Sequence, residues 1–383
     1  MKFFHLSDLH IGLKLFNYDL SEDQAFVFQQ IIDYAHDEHP DAIVIAGDIY
    51  DKAIPSAEAV ELFDSFVSRL NRAVPNAEIM MIAGNHDSAP RVNVFRSILS
   101  RQHVHMIGLP PMQADEHIEK VTLTDAFGPV NFYLLPFVKP SMIKAITSTE
   151  DETASLSYNE ALHRLAAREQ IDEGQRNVLV SHQFYLPASQ DPSSVERMES
   201  EVFTIGNIDC INTDILSRFD YAALGHIHKP MRVGSEFARY CGTPMPYSLS
   251  EANQAKGIIE VTMNEKGNVE TTVLPLHPLH AIRKIEGTLD EVLAQASDDY
   301  AAITLKDDSN TRETQDRINY AFPRCLTLTW DNARTNNVVF SGSDPSILSP
   351  YDFCLQFLND LSDDEKHILQ DAVNAVQEGD DQR

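Results

Sequence analysis

Five clusters of polar residues each follow a short apolar run, and this pattern constrains the fold more than any other feature of the sequence. The clusters are Ser7–His10, Gly47–Asp51, Gly84–Asp87, Ser181–His182 and Gly225–His228. The apolar runs have the length and composition of buried strands, and helical patterns separate the first three of them. Strands that alternate with helices predict an α/β protein, in which ligands bind beyond the carboxyl ends of the strands. The five clusters could therefore meet in one pocket.

The predicted elements place each cluster at the end of a strand. Helical periodicity predicts helices over Asp23–His36 and over Ser56–Leu70, the second with Ser56 as its N-cap. Ile143–Gln175 is predicted to be a helical excursion, and the polar stretch Pro187–Glu201 a loop. The predicted strands are Lys2–Leu6, Asp41–Ala46, Glu78–Ala83, Asn131–Leu135, Asn177–Ser181 and Asp220–Leu224.

Three regions are predicted along the chain. Residues 1–275 contain all five clusters. Residues 276–341 are expected to form a small α/β domain, with strand, helix and strand over Ala281–Leu305 and a further strand over Arg324–Trp330. Residues 342–383 begin as a linker rich in Ser, Gly and Pro and continue into two amphipathic helical patterns.

The side chains of the clusters offer oxygen and imidazole nitrogen as metal ligands, without thiolate. The candidates are Asp8, His10, Asp48, Asn85, His182, His226 and His228. Two carboxylates, one amide and four histidines exceed what one ion usually binds, and they suit two ions about 3.5–4 Å apart that share a carboxylate. Mixed nitrogen and oxygen ligation suits Mn, Fe or Zn better than Ca or Mg. An extended backbone would turn Asp8 and His10 to one side, and His226 and His228 likewise.

Charge and cysteine content narrow the cellular setting. The sequence has 30 Lys and Arg against 58 Asp and Glu, a net charge of −28 that is unusual for a nucleic-acid-binding protein, although a sum does not describe a local groove. The four cysteines are far apart, which indicates reduced thiols. No run approaches the ~20 apolar residues of a membrane span, and a charge comes too early for a signal peptide. We expect a cytoplasmic protein without membrane attachment.

The order and spacing of the clusters resemble the calcineurin-like metallophosphoesterase superfamily over residues 1–275. The matching residues are Asp8-x-His10, Gly47-Asp48-x-x-Asp51, Gly84-Asn85-His86-Asp87, His182 and Gly225-His226-x-His228. Gly84–Ser88, Ala223–Pro230 and Tyr240–Pro246 further resemble the SbcD branch, the bacterial nuclease subunits of double-strand-break repair. This resemblance implies an α/β fold, namely a β-sandwich flanked by helices, with a small α/β capping domain that binds DNA and with C-terminal helices.

The resemblance also implies roles for individual residues. The first metal ion would be bound by Asp8, His10, Asp48 and His228. Asp48 would bridge to the second ion, whose other ligands would be Asn85, His182 and His226. His86 would be a catalytic residue that protonates the leaving oxygen or stabilises the transition state without binding metal, and Asp87 would orient it. Asp51 stands where some relatives carry a substrate-contacting histidine, so it is either a substrate contact or a turn carboxylate.

The implied function is two-metal hydrolysis of DNA phosphodiesters, with Mn²⁺ as the favoured ion, in DNA repair, recombination and replication. The resemblance implies 3′-to-5′ exonuclease action on duplex ends and endonuclease action on hairpins or single strands. Two other functions remain open, a phosphodiesterase or phosphatase for small substrates and a scaffold with a vestigial site.

Partners are also implied by the resemblance. The C-terminal helices would bind an SbcC-type ATPase, or they could dock on their own core. The helix Ser56–Leu70 would form a homodimer, or all its apolar residues could pack inward. DNA contacts are expected at Lys52, Arg91 and Arg96, each of which could equally be solvated surface charge.

Overall fold

The fold is known from a computed structural model. It describes residues 1–147, 155–192, 209–307 and 311–331, with a few further positions at 195, 198, 201, 351, 362, 365–366, 368–371 and 373. The predicted C-terminal linker and helices, residues 342–383, therefore lie outside the described residues apart from those positions.

The elements of the described chain follow in order, and most of the predicted ones are confirmed within a few residues. The strands are β1 (Lys2–Leu6), β2 (Lys14–Leu15), β3 (Tyr18–Asp19), β4 (Ala42–Ala46), β5 (Glu78–Ile82), β6 (Val104–Ile107), β7 (Glu119–Asp125), β8 (Gly128–Leu135), β9 (Arg176–His182), β10 (Tyr185–Leu186), β11 (Ile211–Asn212), β12 (Tyr221–Gly225), β13 (Met231–Val233), β14 (Ser235–Tyr240), β15 (Lys256–Met263), β16 (Val269–Leu276), β17 (Ile282–Gly287), β18 (Tyr300–Leu305) and β19 (Cys325–Trp330). The α-helices are α1 (Ser21–Glu38), α2 (Ala57–Ala73), α3 (Ala89–Val92), α4 (Arg96–Leu99), α5 (Pro140–Thr147), α6 (Tyr158–Arg168), α7 (Leu289–Leu293) and α8 (Arg312–Ala321).

Two six-stranded sheets face each other, as the resemblance implied. The first has the order β16-β15-β1-β4-β5-β6 and the second the order β13-β14-β12-β9-β8-β7. Within the first sheet β1, β4, β5 and β6 are parallel, and within the second β8, β9, β12 and β14 are parallel. Side chains from both sheets, among them Phe3, Val44, Phe132 and Tyr221, form one buried cluster between them.

Helices cover the outer faces because the central strands, such as β4, have apolar residues on both sides. Ile43 and Ile45 of β4 pack on the outer side, in one cluster with Phe28 of α1 and Phe66 of α2. The second sheet is covered by α5 and α6, through residues such as Leu162. Ser56 caps α2 as predicted, accepting a hydrogen bond from the backbone N–H of Ala59. The two sheets and their helices therefore form a four-layered α/β sandwich.

A third, smaller sheet lies in the region predicted to be a small α/β domain. Its strands β17, β18 and β19 are parallel and, with α7 and α8, enclose a separate apolar cluster. Asp23 of α1 connects this unit to the sandwich. Its carboxylate accepts hydrogen bonds from the backbone N–H of His280 at 3.0 Å and from the Tyr300 hydroxyl at 3.0 Å. The helix α8 was not among the sequence predictions.

Two further expectations concern the chain as a whole. None of the helices in the described residues has the length and apolar character needed to span a membrane. Cys241 and Cys325, two of the described cysteines, are free thiols.

The ion pair of Asp125 and Arg176 at the open edge of the sandwich gives a pH-dependent prediction. Arg176 is buried and donates hydrogen bonds to both carboxylate oxygens of Asp125, and these hold the pKa of Asp125 well below its usual value. A carboxyl group whose pKa is lower in the folded than in the unfolded protein stabilises the fold at a pH above its pKa in the unfolded protein. That stability is lost as the pH falls through its pKa in the folded protein. Asp125→Asn should therefore lower the free energy of unfolding by about 1–2 kcal/mol at pH 7 and by progressively less below about pH 4.

Urea unfolding of the wild type and the variant from about pH 7 to about pH 3 measures this difference. The control is Glu119→Gln, which removes the more exposed ion pair with Arg96 and should change stability by less than about 1 kcal/mol at any pH. A difference for Asp125→Asn that stays constant as the pH falls would contradict the prediction.

Candidate metal centre

The carboxyl ends of five strands meet at one edge of the sandwich. The loops after β1, β4 and β5 come from the first sheet, and the ends of β9 and β12 come from the second. Because parallel strands of one sheet all end on the same side, the polar clusters that follow them are brought together. The convergence of these clusters that the sequence predicted is what the structure shows.

Backbone hydrogen bonds join the first two loops. The Asp8 N–H donates to the Gly47 carbonyl oxygen at 3.0 Å, and the His10 N–H donates to the Asp48 carbonyl oxygen at 3.0 Å. Across the sandwich, the His226 N–H donates to Oδ1 of Asp8 at 3.0 Å. The loops are thus fixed to each other, and their side chains are positioned before any ligand binds.

The backbone of these loops is left-handed at several candidate ligands, where the sequence analysis expected an extended chain. The φ angles are +52° at Asp8, +41° at His10, +48° at Asp48 and +101° at His226. Such values disfavour any residue with a side chain and cost about 1–3 kcal/mol each. The expectation of extended alternation was therefore wrong for Asp8, His10 and His226, although the side chains still meet. Asp and His tolerate this region better than most residues.

Two glycines in the clusters leave room for the ligands. A Cβ on Gly84 would overlap the carboxylate of Asp48, and one on Gly47 would overlap the ring of His182. Gly47 also has a φ of +90°. Any larger residue at these two positions would displace a candidate metal ligand.

The first candidate group is formed by Asp8, His10 and His228. One ligand atom from each lies within 4.8 Å of the others, and all three side chains are buried. Nε2 of His10 lies 3.1 Å from Nε2 of His228, and Nδ1 of His10 is buried without a hydrogen-bond partner among the described residues. Two imidazole nitrogens held at this distance suit a shared cation, so the residues present fit a metal ion.

The second candidate group surrounds Asp48. Its Oδ2 lies 3.3 Å from Nε2 of His182 and 3.5 Å from Nε2 of His10, so the same oxygen faces both groups. Oδ1 of Asn85 lies 3.0 Å from Nε2 of His182 and 2.9 Å from Nδ1 of His226. Nδ1 of His182 donates to the Ala46 carbonyl oxygen at 2.7 Å, which directs Nε2 to the pocket. This donor set fits a second ion, with Asp48 between the two.

Burial and mutual charge set the protonation of the pocket. Burial lowers the pKa of His10 to about 3 and places that of His228 well below its usual value. Burial acts in the same direction on His182, but the carboxylates of Asp48 and Asp8 outweigh it and raise its pKa to about 9. Burial raises the pKa of Asp8 to about 7. His10 and His228 are therefore neutral, the form of imidazole that binds metal, whereas His182 is protonated at neutral pH and would have to release its proton to bind an ion.

His86 lies at the mouth of the pocket and is only partly buried. Its Nδ1 is 2.9 Å from the carbonyl oxygen of Asp51, and its backbone N–H donates to Oδ1 of Asp48 at 2.9 Å. Burial lowers the pKa of His86, but Asp48 and Asp51 outweigh it, so the net shift is upward. One ligand atom of His86 also lies within 4.8 Å of those of His10 and Asp48. Geometry alone thus allows His86 to be either a proton donor or a ligand.

Asp87 has a different set of partners from the expected one. Its carboxylate accepts hydrogen bonds from the backbone N–H groups of Ile49, Tyr50 and Gly84, at 2.9–3.0 Å. The His86 ring instead bonds through Nδ1 to the Asp51 carbonyl oxygen, which takes the place expected for Asp87. Asp87 therefore joins the loops after β4 and β5, and Asp51 contributes to the site through its backbone as well as its carboxylate.

The three candidate DNA-binding residues differ in their surroundings. Lys52 is exposed and adjoins Asp51. Arg91 donates to the Ala53 carbonyl oxygen at 3.4 Å. Arg96 forms an ion pair with Glu119 at 2.9 Å, so it is partly neutralised.

Two residues beside the pocket were missed by the sequence analysis. Glu201 accepts a hydrogen bond from the His228 N–H at 2.9 Å, and Asp209 lies 3.8 Å from Nε2 of His226. Glu201 ends the polar stretch that the pattern predicts as a loop, and Asp209 lies outside every predicted element. No signal in the sequence distinguishes either from the other acidic residues of this region.

A buried ion pair supports the loop that carries His228. Lys256 and Glu251 have side chains that are 1% and 0% exposed, and their charged atoms lie 2.7 Å apart. Nζ of Lys256 also donates to the His228 carbonyl oxygen at 3.0 Å and to Thr243 Oγ1 at 2.7 Å. Lys256→Met would leave Glu251 charged and buried without its partner, so we expect a loss of about 3–5 kcal/mol in the free energy of unfolding.

Urea unfolding checks this prediction in two further variants. Lys256→Met combined with Glu251→Leu removes both charges and should lose less stability than Lys256→Met alone. Lys266→Met removes a lysine that pairs with Asp220 while 40% exposed, and should cost less than about 1 kcal/mol. A double variant at least as unstable as the single one would show that the pair does not act as a unit.

A family model and a curated relative match the sequence of this chain. A family model described as calcineurin-like phosphoesterase matches residues 1–230. The SbcD subunit of the nuclease SbcCD from Staphylococcus saprophyticus is 31% identical over 339 residues, which cover 86% of this chain and 84% of that protein.

Solved structures also match this chain, at low sequence identity. A dimetal phosphatase from Danio rerio is 13% identical and matches with a TM-score of 0.42, covering 71% of this chain and 98% of that one. An anchor protein in the inner membrane complex of Plasmodium is 12% identical and matches with a TM-score of 0.41, covering 90% of this chain and 99% of that one.

Proposed function

Because this chain belongs to the calcineurin-like phosphoesterase family, we propose that it is an SbcD-like nuclease subunit that hydrolyses DNA phosphodiesters with two divalent metal ions. The observation that carries this proposal is the meeting of six other candidate ligand side chains, offering oxygen and nitrogen, around the buried carboxylate of Asp48. The nuclease named among the relatives supports DNA as the substrate. Mn²⁺ is the ion we propose, since mixed nitrogen and oxygen ligation suits it.

The proposed ligands follow the two groups in the pocket. The first ion would be held by Asp8, His10, Asp48 and His228, and the second by Asp48, Asn85, His182 and His226. When bound, the ions would polarise the phosphate and activate a water for in-line attack. The chain itself would position the phosphate and supply a proton to the leaving oxygen.

His86 is the residue that we propose as the proton donor. The hydrogen bond from Nδ1 to the Asp51 carbonyl oxygen leaves Nε2 for the substrate. The carboxylate of Asp48 and the hydrogen bond to the Asp51 carbonyl oxygen raise the pKa of His86, which is the direction that a proton donor needs. A general acid is needed because a sugar oxygen is a poor leaving group unless it is protonated.

One assay separates this function from the two alternatives. We expect Mn²⁺-dependent release of nucleotides from duplex DNA, beginning at the 3′ end, and cleavage of hairpins or single strands. Duplexes whose 3′ or 5′ terminal linkages are blocked would show the direction. Hydrolysis of bis-p-nitrophenyl phosphate and cyclic nucleotides with no action on DNA would indicate a small-substrate phosphodiesterase. No hydrolysis of any of these substrates would indicate a scaffold.

The division of the chain and its partners are part of the same proposal. Residues 1–275 would form the nuclease domain, residues 276–341 a capping domain that contacts DNA, and residues 342–383 the segment that binds an SbcC-type ATPase. The relative from Staphylococcus saprophyticus is named as a subunit of the nuclease SbcCD, which supports a partner subunit. Truncation after Ser349 should remove binding to the ATPase and leave folding and basal nuclease activity unchanged.

Dimerisation through α2 and DNA contacts at Lys52, Arg91 and Arg96 complete the proposal. Four residues of α2 (Ala59, Phe63, Phe66 and Leu70) are buried in the core of the same chain, and Val60 is 45% exposed. Self-association through α2 would therefore use Val60 and its polar neighbours. Light scattering that finds only monomer at micromolar concentrations would contradict it.

A further inference from the structure

The loop between Asp8 and His10 is held by two buried side chains from outside the five clusters. We infer that Gln24 and Tyr247 are positioning residues for the first metal site, which they serve by fixing the backbone of this loop. The inference rests on the proposed function, because it assigns these residues a role toward a bound cation.

The loop needs such support because its conformation is unfavourable by itself. Asp8 and His10 both have positive φ angles, and neither is glycine. A left-handed backbone at such residues persists only where the surrounding contacts determine it. The backbone hydrogen bonds to the neighbouring Gly47–Asp48 loop account for the N–H groups of Asp8 and His10. The His10 carbonyl oxygen accepts from the Leu13 N–H at 3.1 Å, and its remaining lone pair and the Leu9 carbonyl oxygen are left to side-chain partners.

Gln24 of α1 supplies these partners with one amide group. Its Nε2 donates to the His10 carbonyl oxygen at 2.9 Å and to the Leu9 carbonyl oxygen at 3.2 Å. Its Oε1 accepts from the Gly12 N–H at 3.2 Å. The side chain therefore spans the loop on both sides of His10, and its own exposure is 0%.

Tyr247 acts on the same loop from a different segment of the chain. Its hydroxyl donates to the Leu9 carbonyl oxygen at 2.5 Å and lies 3.2 Å from Nε2 of Gln24, whose two N–H groups are shared among three acceptors. Its ring meets the His10 ring edge to face, with centroids 5.9 Å apart.

Neither residue can act on the substrate directly. Gln24 is fully buried and Tyr247 is 3% exposed, and neither belongs to the three groups of candidate ligands found in the described chain. Their effect must therefore pass through the position of Asp8 and His10. Residues that orient metal ligands typically change metal affinity by about 10–100-fold when they are removed.

Isothermal titration of the full chain with Mn²⁺ tests this role. Gln24→Leu should weaken binding at one of two sites by at least about 10-fold and leave the other within about threefold. Tyr247→Phe removes only a hydroxyl and should weaken the same site by a smaller factor. The matched control is Gln30→Leu on the same helix, which removes two hydrogen bonds to the backbone of His277 and should bind both ions as the wild type does.

Thermal unfolding with and without Mn²⁺ separates positioning from a general loss of stability. A merely structural residue would lower both midpoints equally, whereas a positioning residue also reduces the rise in midpoint that Mn²⁺ produces. If Gln24→Leu does not fold, Tyr247→Phe decides by the same two measurements. In a variant that folds, unchanged Mn²⁺ affinity at both sites, or equal weakening at both, would overturn the inference. The proposed function would still stand in that case if the wild type binds two ions. A wild type that binds no Mn²⁺ would overturn both.

Discussion

Asp48→Asn is expected to bind at most one Mn²⁺ per chain and to lose at least about 10³-fold in kcat on DNA. Oδ2 of Asp48 lies 3.5 Å from Nε2 of His10 and 3.3 Å from Nε2 of His182, so one oxygen serves both candidate groups. Asparagine keeps the size of the side chain but offers one neutral oxygen and an amide N–H₂ group. Loss of several kcal/mol of electrostatic stabilisation corresponds to a factor of this size.

The strand β4, which precedes Asp48, also offers its control. Asp41 precedes the opposite end of β4, where its carboxylate accepts a hydrogen bond from the Lys2 N–H at 2.8 Å. Asp41→Asn makes the same chemical change far from the pocket and should keep two Mn²⁺ ions and the wild-type kcat. Metal content measured by mass spectrometry and turnover measured on duplex DNA give both readouts. Two retained ions with turnover within about tenfold of wild type in Asp48→Asn would contradict the bridging role.

The sequence predicted the centre of the fold better than its edges. The run over β4 is apolar at every position, which is typical of a strand covered on both faces, and all five of its residues are buried. By contrast β7 is an edge strand whose residues are alternately half-buried and exposed, and its Lys, Glu and Thr residues resemble a surface loop. Helix α8 buries only Thr314 and Ile318, too few to produce an apolar stripe. Elements with one weakly covered face leave little pattern to detect.

The antiparallel pair β15 and β16 shows a second limit. The strand β15 pairs with β1, which lies at the opposite end of the sandwich sequence, and completes the first sheet. Neighbouring strands are found from sequence most readily when they are close along the chain, because the connection then restricts their pairing. Long-range pairing of this kind depends on the whole sheet and has no local signal.

In the candidate site, too, some features could be predicted from the sequence and others could not. Its predicted residues were visible because polar side chains directly follow apolar strands. The left-handed backbone at Asp8 and His10 was not visible, since no glycine marks it. Gln24 was hidden on an amphipathic helix, where a polar residue is ordinary, although its side chain is fully buried. Sequence reasoning thus found the candidate ligands and missed the residues that hold their loops.

His86→Gln is expected to retain both Mn²⁺ ions and to lose about 10²–10⁴-fold in kcat on DNA. Glutamine can still form hydrogen bonds, but it cannot transfer a proton to the leaving sugar oxygen. His163→Gln is the matched control, because Nδ1 of His163 also bonds to a backbone carbonyl oxygen, that of Asn159, at 2.7 Å on the distant helix α6. This control should keep the wild-type kcat.

The choice of substrate distinguishes a proton donor from a ligand at His86. p-Nitrophenolate leaves without protonation, so loss of a general acid should slow the hydrolysis of bis-p-nitrophenyl phosphate far less than the hydrolysis of DNA. A ligand would affect both substrates equally, because metal binding itself would be impaired. One ligand atom of His86 lies within 4.8 Å of those of His10 and Asp48, so the geometry also allows His86 to bind a metal ion. Equal losses of kcat on both substrates, together with the loss of one Mn²⁺ ion, would show that His86 is a ligand. None of the residues predicted here would then donate a proton to the leaving sugar oxygen.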